Sequence, residues 1–307
     1  MNPPSPLERR AFLRTMSAPG FAAAASAASP GAIPNVALGN YNVTRLIAGY
    51  NPIGGYAHSV PKLSAIMRTW FTRDRVVEFL HNCESNGINT WQASIDPKAF
   101  EALQLARDAG LKLQWMCLMP DVDAATWKQV IALKPIAVVH HGEHTDRLYR
   151  SGAQYRIGDF VRKAHDYGVM AGVSSHVPEH IARSEDAAWT HDFYMTCFYN
   201  IRRDQEKVKA GLGDLPVDEL YLAHDPDRMT AVVRQTSRTC LGFKIFAAGR
   251  LCGNKGAIER AFAYAYSNLK PNDAVIVGMF PMLTDEVAED AAIARAVLSG
   301  GGRGPSS

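Results

Sequence analysis

Glycine repeatedly follows a helix-like segment and precedes a strand-like segment, and this order constrains the fold of the chain more than any other feature. Gly87, Gly110 and Gly168 each end a segment with helical spacing of apolar residues, and each comes just before a short apolar run. Glycine accepts the left-handed backbone that ends a helix, so it permits short connections to a following strand. The alternation of helices and buried strands indicates parallel βα units.

Strand-like runs can be placed at eight points in this alternation. They cover residues 44–49, 89–94, 111–118, 136–141, 170–175, 193–199, 242–247 and 274–278. Eight such units predict an α/β fold, a closed (β/α)8 TIM barrel over residues 35–298, followed by a disordered Gly/Ser/Pro-rich tail at 299–307. The active site of such a barrel lies at the carboxyl ends of its strands.

Composition and charge limit the kinds of molecule that the protein is expected to bind. The chain has 307 residues, 47% of them hydrophobic, and a formal charge of +3 with both signs interleaved. We therefore expect one large core, a small-molecule substrate and no nucleic-acid partner. No uninterrupted apolar run approaches the about 18 residues that a membrane-spanning helix needs, so we expect no membrane span in the mature protein. The five cysteines form no Cys-x-x-Cys pair, which argues against a cysteine-bound metal.

The first 30 residues resemble a twin-arginine export signal. Arg9-Arg10 precede Ala-Phe-Leu, a weakly apolar Ala-rich run, and small residues near Ala28. We therefore expect residues 1–30 to be a signal peptide that engages the twin-arginine export machinery, and the mature protein to be periplasmic or extracellular.

Histidine and carboxylate residues cluster where two neighbouring strands are predicted to end. The fourth strand runs into His140-His141-Gly142-Glu143-His144, and the fifth ends at His176. Imidazole and carboxylate together suit Zn, Mn or Fe, so His141, Glu143 and His176 are candidate metal ligands. Two alternatives remain open: metal-free acid/base catalysis by His140 or His176, and a purely structural role.

Lys244 is predicted to lie inside the seventh strand. A lysine in an apolar strand is costly unless it is paired or reaches the barrel mouth. It is therefore a candidate site cation or imine-forming amine, with a paired structural lysine as the alternative.

The motifs Gly-Val-Ser-Ser-His (172–176), Cys-Phe-Tyr-Asn (197–200), 243–251 and Val-Ile-Val-Gly-Met (275–279) are similar in order and wording to those of the aldo/keto reductases. The resemblance covers roughly residues 43–295, and it implies an eight-stranded barrel that binds a nicotinamide cofactor. It also implies a catalytic tetrad of Asp, Tyr, Lys and His.

Most of that tetrad is absent. The Asp position holds Gln92, no Tyr lies in residues 93–100, and the third strand ends in Cys-Leu-Met-Pro (117–120) without a Lys. Only the histidine is kept, as His140. The remaining candidate catalytic residues are Lys244 and Tyr199.

The sequence keeps some of the cofactor-binding residues that the resemblance implies and replaces others. Ser174, Asn200 and Gly278 match the pattern and are the candidate nicotinamide-binding residues, whereas Ser175 and Thr196 replace the usual Asn and Gln. Residues 279–289 carry acidic side chains and no Lys or Arg, which is the wrong charge for an NADP phosphate.

Three functions follow as expectations. The first is a lyase, isomerase or hydrolase acting on a sugar or other small carbonyl or polyol compound through histidine chemistry, with or without a metal. The second is a diverged NAD(P)-dependent aldo/keto oxidoreductase, and the third is a non-catalytic binding barrel. The sequence leaves the cofactor open.

Overall fold

Eight parallel strands close a barrel in a computed structural model that describes residues 31–301. Each of the eight strands pairs with the one that follows it in the chain. The first and last of these strands meet with Ile47 opposite Ile276, which completes the ring. The predicted (β/α)8 TIM barrel is confirmed.

The barrel strands are short, as expected for strands that are buried on both faces. They are β3 (Leu46–Ala48), β4 (Thr90–Ser94), β5 (Gln114–Met119), β6 (Ala137–His140), β7 (Met170–Ser175), β8 (Phe193–Cys197), β9 (Thr239–Phe243) and β10 (Ala274–Val277).

An antiparallel hairpin closes the amino-terminal end of the barrel. Its strands are β1 (Asn35–Leu38) and β2 (Tyr41–Thr44). Val36, Leu38 and Val43 pack in one cluster with inward-facing barrel residues such as Phe193. The hairpin was not predicted, although Gly-Asn at its turn, between alternating apolar residues, is a hairpin pattern.

Helices surround the barrel and connect its strands. They are α1 (Asn51–Gly54), α2 (Pro61–Trp70), α3 (Arg73–Ser85), α4 (Pro97–Asp108), α5 (Ala124–Ala132), α6 (Gly142–Arg150), α7 (Tyr155–Asp166), α8 (Pro178–Glu185), α9 (Gln205–Leu212), α10 (Asp225–Val233), α11 (Lys255–Asn268) and α12 (Glu286–Ala296), with a π-helical turn at Val297–Gly301.

Side-chain caps and left-handed glycines set several helix ends. Asp96 and Asp123 accept backbone N–H groups at the starts of α4 and α5. Gly87, Gly110 and Gly168 have φ of +78°, +100° and +74°, so the left-handed conformation predicted at these connections is confirmed.

The seventh barrel strand lies earlier than predicted. It covers Thr239–Phe243 rather than 242–247, so Lys244 follows the strand instead of lying within it. The apolar run continued past the strand because Ile245, Phe246 and Ala247 are buried in a loop. The charged segment at 202–218, which follows β8, contains α9.

The predicted export segment at 1–30 and most of the predicted tail lie outside the described residues. Of the tail, residues 299–301 are described, within the π-helical turn. Within residues 31–301, no helix has the length and apolar character needed to cross a membrane.

Candidate functional site

A cavity of about 330 Å³ opens at the carboxyl ends of the barrel strands. Its floor is formed by side chains that point into the barrel from several strands, among them Gln92, Leu118, Met195 and Phe243. The loops that follow β3 and β9 form its walls. This is the position at which the fold places its active sites.

Lys244 lines this cavity at the point where β9 ends. Within residues 31–301 the amine has neither a hydrogen-bond nor an ion-pair partner. Burial, helped by the charge of Arg202 and partly offset by Cys197 and Glu219, lowers the pKa of Lys244 to about 8. A large fraction of this amine is therefore neutral, and so nucleophilic, near physiological pH.

The loop after β9 holds Lys244 in an unusual backbone conformation. Lys244, Ala247 and Ala248 have φ of +60°, +50° and +52°, which is the left-handed region that few residues other than glycine adopt. Each such residue costs about 1 kcal/mol or more, and such residues concentrate at functional sites. The Ala247 N–H donates to the Lys244 carbonyl over 2.8 Å and closes the turn.

A histidine–carboxylate pair lies on the cavity wall beside Lys244. Nδ1 of His58 lies 2.9 Å from Oε2 and 3.1 Å from Oε1 of Glu219, and the Tyr221 hydroxyl donates to the same carboxylate over 3.1 Å. Because Nδ1 is used by Glu219, Nε2 is the nitrogen left for a ligand. Arg250 holds this wall in place by donating to the His58 carbonyl and lying 4.0 Å above the Tyr221 ring.

Burial and neighbouring charges shift the pKa of both His58 and Glu219. Burial lowers the pKa of His58 and Glu219 raises it, while Lys244 lowers it. Burial raises the pKa of Glu219, but the hydrogen bond and charge of His58, together with Lys244, outweigh burial and lower it to about 2. The carboxylate is therefore ionised, and the imidazole is neutral and able to accept a proton at neutral pH.

A second histidine–carboxylate cluster lies where β6 and β7 end. The fully buried Asp146 accepts hydrogen bonds from His176 Nδ1 and His180 Nδ1, both at 2.8 Å, and from the Ser175 hydroxyl at 2.5 Å. Burial raises the pKa of Asp146, but these donors more than offset it, so the pKa is lowered. Ionised Asp146 fixes the His176 ring with Nε2 as its free nitrogen.

His176 belongs to the second cluster and lies close to the cavity that His58 lines. Its ring packs 5.8 Å from Phe243, which is part of the cavity floor. A positive charge on His176 lowers the pKa of both His58 and His141. These histidines are therefore within electrostatic range of one another across the barrel mouth.

The three candidate metal ligands are not arranged as a ligand set. His141 Nδ1 accepts the Glu143 N–H at the start of α6, and Glu143 instead pairs with Arg202 at 3.1 Å, while His176 is bound to Asp146. Burial, together with the positive charge of His176, lowers the pKa of His141 to about 3. Within residues 31–301, no three His, Cys, Asp or Glu side chains converge as metal ligands.

His140 does not face the cavity, so its predicted role at the barrel mouth is wrong. It shares the outer face of β6 with Val138, since Ala137 and Val139 point inward. Nδ1 lies 2.7 Å from the Thr145 hydroxyl, and the ring packs edge-on 5.0 Å from Phe160 of α7. The alternation along β6 decides this orientation.

The other candidate residues occupy different places. Tyr199 is buried against Tyr221 at 5.3 Å, and burial raises its pKa, which makes it a wall residue behind the His58 pair. Gly278 lines the cavity, whereas Ser174 lies beneath Gly142, and the Asn200 side chain caps the Arg202 N–H.

These positions do not form a nicotinamide site. Of the three candidate contacts, only Gly278 lines the cavity, and the adjoining cleft carries Glu286, Glu289 and Asp290. A dinucleotide phosphate there would meet like charge. The residues at these positions therefore do not fit a nicotinamide dinucleotide.

Sequence reasoning missed His58 and Glu219. His58 follows a glycine-rich turn after β3, and Glu219 ends the charged segment after β8, 161 positions further along the chain. Their only sequence signal is that each lies in a loop after a strand end, where barrel enzymes place functional residues.

Comparisons with known proteins show the fold. No protein-family model matches the chain, and no curated protein matches it. Among solved structures, apo Gox0644 is 10% identical with a TM-score of 0.53, over 90% of this chain and 96% of that one. A protein assigned as 2,5-diketo-D-gluconic acid reductase B is 12% identical with a TM-score of 0.50, over 86% of each chain. The glycerol dehydrogenase AKR11B4 from Gluconobacter oxydans is 12% identical with a TM-score of 0.49, over 90% and 99%.

Proposed function

We propose that this protein is a lyase or isomerase acting on a small carbonyl compound of the sugar class, and that Lys244 forms an imine with it. The observation that carries the proposal is the geometry around the amine. Lys244 lacks an ion-pair partner within residues 31–301 and lines the same cavity as His58, which Glu219 holds by Nδ1.

The proposed reaction begins at the Lys244 nitrogen. The neutral amine adds to the substrate carbonyl carbon to give a carbinolamine, and uptake of one proton from solvent with loss of water leaves a protonated imine. That cation withdraws electrons from the adjacent carbon, so a C–H or C–C bond there can break with its electron pair retained on the substrate. His58 Nε2 is the acceptor or donor of the proton that moves.

We assign a second proton transfer to the His176–Asp146 cluster, because the His176 ring packs against Phe243 of the cavity floor. Asp146 is ionised and fully buried and holds the His176 ring through Nδ1, which leaves Nε2 as the nitrogen that can exchange a proton. Two separately held imidazoles suit a reaction in which a proton leaves one position and enters another.

The cavity fits a compact substrate. Its volume of about 330 Å³ lies at the small end of ligand cavities, which run from about 300 to 1,000 Å³. Polar contacts are available from Gln92 and His58, and Phe243 and Met195 offer apolar contact. This mixture suits a short polyhydroxylated chain.

Borohydride trapping tests the imine. The protein is incubated with a panel of short hydroxy-aldehydes, hydroxy-ketones and oxo acids, reduced with borohydride, and examined by peptide mass spectrometry. Reduction of the imine adds the mass of the carbonyl compound less one oxygen atom. We expect this addition on Lys244 with at least one compound.

Two variants separate this reaction from general lysine modification. Lys244→Arg keeps the charge but cannot form the imine, so trapping should disappear. Lys98→Arg is the matched control: burial lowers the pKa of Lys98 too, but its amine donates to the Ile53 and Phe71 carbonyls. Adducts spread evenly over the lysines, or retained in Lys244→Arg, would refute the proposal.

The His176–Asp146 cluster favours a second candidate, direct proton transfer without an imine. In that case an isomerase activity found with the same panel would survive in Lys244→Met and be lost in His176→Gln. Loss of that activity in Lys244→Met supports imine chemistry, whatever the effect of His176→Gln.

We also propose that the protein is exported through the twin-arginine pathway. The Arg9-Arg10 pair and the weakly apolar segment that follows it support this proposal. Cell fractionation of the native host tests it.

A further inference from the structure

A second cavity, of about 690 Å³, lies between α11 and α12 and adjoins the barrel mouth. Phe246, Ile258 and Ile293 give it apolar walls. One face of α12 presents Glu286, Glu289 and Asp290 to this cavity, since Glu289 and Asp290 lie three and four positions after Glu286. The cleft therefore combines a row of carboxylates with an apolar lining.

Asp290 is the residue in this cleft that most needs a partner. It is 5% exposed and lines the cavity, yet it makes no hydrogen bond or ion pair with any residue in 31–301. Its neighbours are better satisfied: Glu286 accepts the Phe280 N–H over 2.6 Å, and Glu289 accepts from the Thr284 hydroxyl over 3.3 Å. A buried charge without a partner is costly, so an unpaired carboxylate aimed into a cavity points to a ligand.

The charge state of Asp290 follows from its surroundings. Burial, together with the charges of Glu286 and Glu289, raises the pKa of Asp290 to about 8. The carboxyl group therefore holds a proton at neutral pH while the cleft is empty. A bound cation would take the place of that proton.

Other titratable groups face Asp290 from the neighbouring elements. They are Glu286 and Glu289 on α12, Lys255, Glu259 and Tyr266 on α11, and Cys252 in the loop after β9. Lys255 lies 3.9 Å from Glu259, and its side chain is largely in solvent, so it does not neutralise Asp290.

We propose that this cleft binds a primary ammonium group carried on an apolar stem, with Asp290 as its buried counter-ion. The apolar walls accommodate the stem, and the carboxylate row accounts for the charge of the head group. A metal ion is the weaker fit, because no three acidic or imidazole side chains within residues 31–301 converge as ligands. The proposal does not depend on the role of Lys244.

Calorimetric titration with hexylamine tests the site, with hexanol as the uncharged ligand of the same shape. We expect hexylamine to bind at least about tenfold more tightly than hexanol. Asp290→Asn keeps the shape of the side chain but cannot ionise, so it should weaken hexylamine by about 10- to 100-fold, the usual effect of losing a charged hydrogen bond. Hexanol binding should be unchanged in this variant.

Proton release provides a second readout. At pH 7, titrations in two buffers with different ionisation heats should show close to one proton released for each hexylamine bound. Lys244→Met should bind hexylamine like the unaltered protein, which separates this site from the proposed catalytic amine.

Several results would overturn the proposal. They are equal affinity for amine and alcohol, no binding of either, and full hexylamine affinity in Asp290→Asn. Displacement of hexylamine by Mg²⁺ or Ca²⁺ that is itself lost in Asp290→Asn would show that the cleft is a divalent-cation site instead.

Discussion

The lowered pKa of Lys244 gives a quantitative expectation for its reactivity. With a pKa of about 8 in place of 10.5, about a quarter of the amine is neutral at pH 7.5, against about one part in a thousand for an ordinary lysine. Lower basicity also lowers the reactivity of the neutral amine. A Brønsted slope of about 0.4–0.5, as measured for thiols, would leave a net advantage of about 10- to 20-fold.

Competitive labelling measures this advantage directly. Trace fluorodinitrobenzene is applied from pH 6 to 11, and labelling at each lysine is measured by peptide mass spectrometry. We expect half-maximal labelling of Lys244 near pH 8, and faster labelling at pH 7.5 than at the exposed Lys128.

A charge variant tests the physical cause. Glu219 raises the pKa of Lys244, so Glu219→Gln should move the midpoint for Lys244 to lower pH. Glu101→Gln, a change of the same kind on the exposed face of α4, should leave that midpoint unchanged. A Lys244 midpoint near pH 10 would show that the amine is solvated or paired, and would remove the basis for the proposed imine.

Three further outcomes are expected. The raised pKa of Asp290 makes this residue destabilising above about pH 4, where the unfolded chain ionises it while the folded chain keeps its proton. Asp290→Asn should therefore change stability little at pH 4 and raise it at pH 9 by up to about 6 kcal/mol, for a pKa displaced by about four units. Urea unfolding measures this, and equal effects at both pH values would contradict it. His176→Gln should lower turnover by about 10²-fold or more with little loss of stability. His140→Ala should cost about 2 kcal/mol or more of stability, because its ring is packed against a helix. Activity assays and thermal unfolding of each variant separate the two effects. Replacing Arg9 and Arg10 with lysine should retain the protein in the cytoplasm on cell fractionation, and normal export would contradict the signal assignment.

The barrel could be predicted from the sequence because its pattern is local. A helix, a glycine and a short buried strand recur within a few tens of residues, and eight repeats leave few alternatives. The seventh strand was misplaced because Ile245 and Phe246 are apolar for another reason: they line the cavity in a loop. Periodicity alone cannot distinguish a buried loop from a strand end.

The candidate site could be predicted only in part. Its location at the strand ends, and Lys244 within it, followed from the fold and from residue chemistry, whereas His176 packs against the cavity-lining Phe243. The pairing of His58 with Glu219 did not follow, because two long loops must fold against each other before these side chains meet. His140 was expected at the barrel mouth because it holds the histidine position of the tetrad, whereas the alternation along β6 places its side chain on the outer face.

The closure of β3 against β10 has a consequence for the order in which the chain folds. Arg45, just before β3, donates to the carbonyl of Asp273, just before β10, across 228 positions of sequence. At about 5–20 residues per second, synthesis of the intervening chain takes about 10 to 50 seconds, during which β3 lacks its final neighbour. Native contacts of such long range slow folding. The barrel can therefore close only after its last βα unit has been synthesised, and until then the edges of β3 and of the last strand formed offer unpaired backbone groups to other chains.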